Sequence, residues 1–252
     1  MPHSQSLRPA VTVVLVGAPE TIDMSGRVGE LDEHEHARWQ ALRRPADRRR
    51  YLVAHVGLRD ALAQRLGLDP GEIRLGNDPC PVCGSPAHGR PISLDDPTST
   101  HWSISHTDGL VAIAVGSTPV GIDVEAVLRA SDTEFLDEVG THPDDSAAVA
   151  AVAAAAAFGS SDDEVLGRTR LARWSRLEAA LKATGAGLGI DPSTIAVGIS
   201  GPRTLSPAMP HRAGGDPSPV TVTVTDLAVG NDHVGALAVA GTEPPDVSSS
   251  WA

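Results

Sequence analysis

The chain has 252 residues, 41% of them hydrophobic and 21% charged, which suits one large or two small globular domains and excludes a disordered chain. A formal net charge of −12 argues against nonspecific nucleic-acid binding. Aromatics make up only 3%, so the core must be built from Ala, Val and Leu.

No apolar run approaches the roughly 18 residues needed to span a bilayer. No charged segment followed by a long apolar stretch opens the chain. Cys80 and Cys83 are the only cysteines, too few for a disulfide scaffold. A cytoplasmic protein without membrane or nucleic-acid partners is expected.

Residues 10–16 (Ala-Val-Thr-Val-Val-Leu-Val) predict a buried strand, closed by Gly17 and Pro19. Helices are predicted over 30–43 and 46–66, parted by Pro45, the second ending at Gly67. From Arg43 to Asp60 there are six Arg (43, 44, 48, 49, 50, 59) against two Asp (47, 60). A local basic patch on an acidic chain points to a specific anion site. Residues 69–100 are rich in Pro and Gly and read as loop. Strands at 101–105 and 110–115 form a hairpin, with Asp108-Gly109 as the turn signal.

Val120-Gly121-Ile122-Asp123-Val124-Glu125 alternates as a strand. Asp123 and Glu125 share one face, about 7 Å apart along the backbone. Left alone, such a pair is a polar face; with further ligands it suits Mg²⁺. An Ala-rich helix is predicted over 144–157 and another over 170–184, closed by Gly185. On the latter, Trp174, Glu178 and Lys182 lie at i, i+4 and i+8 and form one stripe, with Leu177 and Leu181 beside it. Taken alone this is a surface Glu–Lys pair. Packed across the Asp123/Glu125 strand, it adds a third carboxylate that only a cation makes economical.

Residues 201–218 read as a Pro/Gly loop, 219–227 and 233–240 as strands, and the tail from Thr242 as loose. Asp108–Gly116 matches Asp232–Ala240 at four of nine positions. Working outward, 10–116 and 120–240 read as two copies of one α+β unit with a cleft between them, a preferred ligand site. The division is 1–118, 119–241 and a tail at 242–252.

Three further patterns are weaker. Ser105-His106 at a strand end is no hydrolase triad, because no G-x-S-x-G exists in the chain. Gly185-Ala-Gly-Leu-Gly189 follows a helix rather than opening one, so it reads as a cap and turn. Cys80-x-x-Cys83 with His88 has partial zinc spacing and no evident fourth ligand.

In order, Gly89-Arg90-Pro91, Ser105-His106, Val120-Gly-Ile-Asp123-Val-Glu125 and Trp174-Ser-x-x-Glu178-x-x-x-Lys182-x-x-Gly185 resemble the 4′-phosphopantetheinyl transferases, in their larger, two-lobed Sfp-type class. The resemblance covers roughly residues 40–240 and implies an α+β fold of two similar lobes with the active site at their interface. It implies transfer of the 4′-phosphopantetheine arm of coenzyme A to a serine of an apo carrier protein, releasing 3′,5′-ADP.

Residue roles follow from the same resemblance. Asp123, Glu125 and Glu178 would hold Mg²⁺. Asp123, Glu178 and Lys182 would serve catalysis, Glu178 taking the serine proton and Lys182 steadying the pyrophosphate. Ser105, His106, Arg90 and Lys182 would grip the coenzyme A phosphates, with Arg49 and Arg50 at the 3′-phosphate. Acyl or peptidyl carrier domains of polyketide, nonribosomal peptide or fatty acid synthases are the implied partners. A two-lobed chain supplies its own seam, so a monomer is expected.

Two departures stand out. Leu177 occupies the position where the family pattern W-x-x-K-E has lysine, and Arg90 replaces the commoner lysine. Arginine keeps the charge and binds phosphate bidentately. Leu177 leaves open a degenerate homologue that binds coenzyme A or a carrier without turnover. An unrelated α+β Mg²⁺ phosphotransferase or hydrolase that converged on paired carboxylates is the third reading.

Overall fold

The computed structural model describes residues 8–86, 89–128, 130–133, 136, 141–156, 162–207 and 220–251. It is mixed α+β, built around two sheets. The first has the order β10-β1-β5-β4-β3-β2, from β1 (Ala10–Gly17), β2 (Leu75–Asn77), β3 (Pro91–Ser93), β4 (His101–Thr107), β5 (Leu110–Gly116) and β10 (Asp246–Trp251). The second has the order β6-β9-β8-β7, from β6 (Val120–Ala126), β7 (Arg203–Leu205), β8 (Val222–Asp226) and β9 (His233–Ala240).

Alternation along β1 decides the layering. Val11, Val13 and Leu15 turn to one side and meet Ile122 and Val124 of β6 and Leu237 and Val239 of β9. Val16 turns to the other side and joins Val53, Leu58 and Leu62 of α2 (Pro45–Leu66). On the second sheet, Leu177, Ala180 and Leu181 of α4 (Asp162–Thr184) cover Val222, Val224, Ala236 and Ala238. Apolar contact therefore runs from α2 through both sheets to α4. β5, at the centre of the first sheet, is buried at every position, as its continuous apolar run requires.

The hairpin forms with Thr107 opposite Leu110, so His106 and Thr107 belong to β4 and the turn shortens to Asp108-Gly109, with Gly109 at φ 77°. β5 and β9, the two segments that resemble each other in sequence, pair antiparallel with β1 and β6 respectively.

Several expectations are corrected. α1 is shorter than predicted, Glu33–Ala41, because Asp32 caps it by accepting from the Glu35 amide while Glu35 reaches back to the Asp32 amide. The loop 69–100 contains β2 and β3. α4 begins at Asp162, eight residues before the predicted start at 170. The Ala-rich helix α3 spans Pro143–Ala156. The tail is not loose: β10 pairs in parallel with β1, Ala10 opposite Asp246 through Leu15 opposite Trp251. Its side chains are all exposed, so apolar pattern could not announce it; the open edge of β1 recruits it. No helix among the described residues is long and apolar enough to cross a membrane.

Candidate active site

β6 lies at an edge of its sheet, and its free amides are met by side chains rather than by a neighbouring strand. Ile122, Val124 and Ala126 donate to the hydroxyls of Ser103 (3.1 Å), Ser105 (3.3 Å) and Thr107 (3.2 Å) of β4. Period-two alternation on both strands produces this ladder. It joins the sheets at the point where Asp123 emerges.

Gly121, Asp123 and Glu125 face α4. A Cβ on Gly121 would lie 2.6 Å from the Ala183 nitrogen and 2.9 Å from the Lys182 Cβ, and closer still to the Ala179 carbonyl. Glycine here lets helix backbone rest directly on strand backbone. The close approach sets the rest of the contact. Lys182 donates to Asp123 Oδ1 at 2.7 Å and to the Ile122 carbonyl at 3.0 Å. Ser105 donates to the same Oδ1 at 2.9 Å. Trp174, two turns before Lys182 on α4, acts weakly on Glu125 in favour of its ionised form. The predicted Trp174–Glu178–Lys182 stripe is thus the face that meets β6.

Negative charge is under-compensated here. Asp123 is 4% exposed, and its Oδ2 is buried without a hydrogen-bond partner. Burial, then repulsion from Asp123 and Glu178, pushes the Glu125 carboxyl up to about 7, against the attraction of Lys182. Burial also raises Glu178, with Lys182 opposing and Asp123 adding. Among the described residues no three His, Cys, Asp or Glu side chains already converge as a ligand cluster. The three carboxylates nevertheless fit a hard divalent cation: one oxygen is orphaned, and two neighbouring carboxyls are raised partly by repulsion that a cation would relieve.

Ser105 and His106, adjacent in sequence, part company. Ser105 turns to Asp123, whereas His106 faces a cavity of about 250 Å³ with Arg38, Arg50, Tyr51 and His55. Desolvation by the cavity walls lowers the His106 pKa, and the Arg50 charge lowers it further. Arg50 donates to Glu20 Oε1 (2.7 Å) and Asp108 Oδ1 (2.6 Å). Arg49 is exposed and donates to the Glu20 carbonyl. Arg90 lines a separate cavity of about 470 Å³ with Ser103 and Lys182, and it donates to Asp78 Oδ2 at 2.7 Å. Of the predicted phosphate residues, Arg50 and His106 therefore line one cavity and Arg90 and Lys182 another, while Ser105 turns to Asp123 and Arg49 is exposed.

Leu177 is 1% exposed and belongs to the apolar core under the second sheet. Its departure from the family pattern falls on packing. Cys80 lines the Arg90 cavity together with Cys83, and His88 lies outside the described residues. Sequence reasoning passed over Gly121, Arg38, Tyr51 and His55. Gly121 stands two residues before Asp123, on the same strand face; that phase was the available signal.

A fold of this class, with buried strand carboxylates facing a helix that brings Glu and Lys, is the setting for comparison with known proteins. A family model described as the 4′-phosphopantetheinyl transferase superfamily matches residues 119–237. The resemblance drawn from the motifs is borne out at this level. A phosphopantetheinyl transferase of Thraustochytrium sp. is 31% identical over 164 residues, 63% of this chain and 54% of the relative. A 4′-phosphopantetheinyl transferase of Bacillus subtilis is 32% identical over 109 residues, 39% of this chain and 44% of the relative. The 4′-phosphopantetheinyl transferase HetI of Nostoc sp. is 27% identical over 215 residues, 84% of this chain and 79% of the relative. The chain thus spans about half the length of the first two.

Proposed function

We propose that the protein transfers the 4′-phosphopantetheine arm of coenzyme A to a serine hydroxyl of an apo carrier protein and releases 3′,5′-ADP. The observation that carries this reading is the buried Asp123, with Lys182 on one oxygen and no partner on the other, beside two carboxyls with raised pKa. Such a site wants a cation and, beyond it, an anion.

Asp123, Glu125 and Glu178 are the residues that would hold Mg²⁺. Bound there, the ion would neutralise pyrophosphate charge as a Lewis acid. Lys182, anchored on Asp123 and the Ile122 carbonyl, places a fixed positive charge where the pyrophosphate must lie. Glu178 takes the serine proton as the serine oxygen attacks the β-phosphorus and 3′,5′-ADP departs. Ser105 positions Asp123. Arg50 and His106 receive the 3′-phosphate end, with Arg49 at its rim, and Arg90 with Lys182 receives the pyrophosphate end.

The two sheets read as copies of one unit, divided after residue 118, with the site at their seam. The matching antiparallel pairings of β5 with β1 and of β9 with β6 support this. Carrier domains of polyketide, nonribosomal peptide or fatty acid synthases are the acceptors, and a cytoplasmic monomer is the working form. The binding-only alternative rested on Leu177, whose place in the core gives it no support.

The test is direct. Incubate the protein with apo carrier protein, coenzyme A and Mg²⁺, and measure the carrier's mass. A gain of one phosphopantetheine arm, lost in Glu178→Gln, supports the reading. Bound coenzyme A with no transfer to any of several carriers overturns it.

A further inference from the structure

Tyr51 and His55 lie one turn apart on α2, and their rings stack with centroids 3.9 Å apart at 21°. His55 Nδ1 is 2.7 Å from Glu35 Oε1. Glu35, on α1, is 3% exposed, and its Oε2 accepts from Arg59 Nε at 2.9 Å, from Arg59 Nη2, and from the Asp32 amide at 3.0 Å. Burial alone would raise this carboxyl, but the hydrogen bonds from His55, the Asp32 amide and Arg59 outweigh it and lower its pKa.

An ionised Glu35 has no proton to give, so the hydrogen in the contact belongs to His55 Nδ1. The ring is then fixed three ways: by the carboxylate at Nδ1, by Tyr51 on its face, and by α2 at its root. The opposite ring nitrogen, Nε2, lies on the side away from Glu35. His55 lines the cavity that holds Arg38, Arg50 and His106. Asp47 is the acidic residue in that wall. Among these groups Arg50 is tied to Glu20 and Asp108, whereas Arg38, on α1, is exposed.

We propose that His55 is a specificity residue for the 3′-phosphate of coenzyme A, donating to it from Nε2, and that Glu35 is its positioning residue. The proposal rests on the transferase reading above. As the phosphate arrives, His55 takes a second proton from solvent on Nε2 and donates it, which completes a carboxylate–imidazolium–phosphate line, with Arg38 and Arg50 supplying the remaining charge. The motif comparison passes over His55 because its partner, Glu35, comes from another helix 20 residues away.

The experiment compares coenzyme A with dephospho-coenzyme A, which lacks only the 3′-phosphate, as substrates for transfer. Wild type should favour coenzyme A through KM. His55→Phe keeps the stack on Tyr51 and loses both ring nitrogens. It should raise KM for coenzyme A about tenfold, the scale of one charge-assisted hydrogen bond, with kcat within about twofold. KM for dephospho-coenzyme A should not move. His55→Lys should recover part of the preference. Glu35→Gln should give a smaller rise, about threefold, in the same KM alone.

A His55→Phe change that is equal for both substrates, or absent, overturns the proposal. Wild-type transfer that ignores the 3′-phosphate overturns it while leaving the transferase reading intact. Failure of the wild type to transfer from either substrate overturns both. Glu35 is buried and its variant can misfold; His55→Phe, at a partly exposed position, decides the matter without it.

Discussion

At the seam of β6 and α4, Asp123, Glu125 and Glu178 share one lysine. Across β4, Arg50 is already held by two carboxylates, Glu20 and Asp108, and His55 by a third, Glu35. The first region is buried and short of positive charge. The second is charged but already paired. Pairing explains the difference in consequence: at the seam, desolvation first and unrelieved repulsion second raise the Glu125 and Glu178 carboxyls, whereas the hydrogen bonds on buried Glu35 hold it down and keep His55 in position. An arriving cation fills a deficit at the seam. An arriving phosphate must exchange with Asp108, whose side chain is 87% exposed and readily rehydrated. The comparison teaches that one region is built to bind by need and the other by substitution.

The sharpest way to break the comparison is at Asp123. Asp123→Ala removes the shared partner of Lys182 and Ser105, and transfer measured by carrier mass should fall by about 10²-fold or more, the scale of losing one preorganised electrostatic partner. Gly121→Ala should come next. Its Cβ would overlap the backbone of α4, so the helix must lift. A loss of about 3 kcal/mol in denaturant unfolding, with transfer reduced in parallel, is expected.

pH sharpens the contrast further. Glu125 has a folded pKa of about 7 against an ordinary value of 4.5. Between these values the folded protein keeps a proton that the unfolded chain releases. The contribution of Glu125 to stability without added metal is therefore complete below about pH 4.5 and is lost as pH rises through 7, and Glu178, raised for the same first cause, works in the same direction. Glu125→Gln should flatten that decline by roughly 1 kcal/mol after allowance for solvent screening, read from denaturation midpoints at pH 5 and pH 8. The smallest effect belongs to a region outside both. Truncating the chain before Asp246 removes β10, whose side chains are all exposed, from beside β1, so a loss of about 1 kcal/mol or less is expected, with transfer unchanged.

Much of the seam was legible in the chain because its signals are local and periodic. Alternation put Asp123 and Glu125 on one strand face, and i, i+4, i+8 spacing put Trp174, Glu178 and Lys182 on one helix face. The same spacing sent Leu177 and Leu181 to the core. The cavity was less legible. Arg50 was visible as part of a basic run, but His55 acts through Glu35 on another helix, and Arg38 joins the cavity from α1, outside that run. Ser105 and His106 were read as one grip, although strand alternation parts them. β10 carried no apolar pattern at all.

What the sequence determined by itself was each residue's face: periods of 2 and 3.6 settle which side chains leave a strand or helix together. Which faces meet was decided only by tertiary structure. A helix lies on β6 because Gly121 leaves room for its backbone. Asp123 is a buried, half-satisfied carboxylate because Ser105 and Lys182 arrive from elements 18 and 59 residues away along the chain. Burial and charge compensation depend on such distant neighbours, and so the chemistry of the site does too.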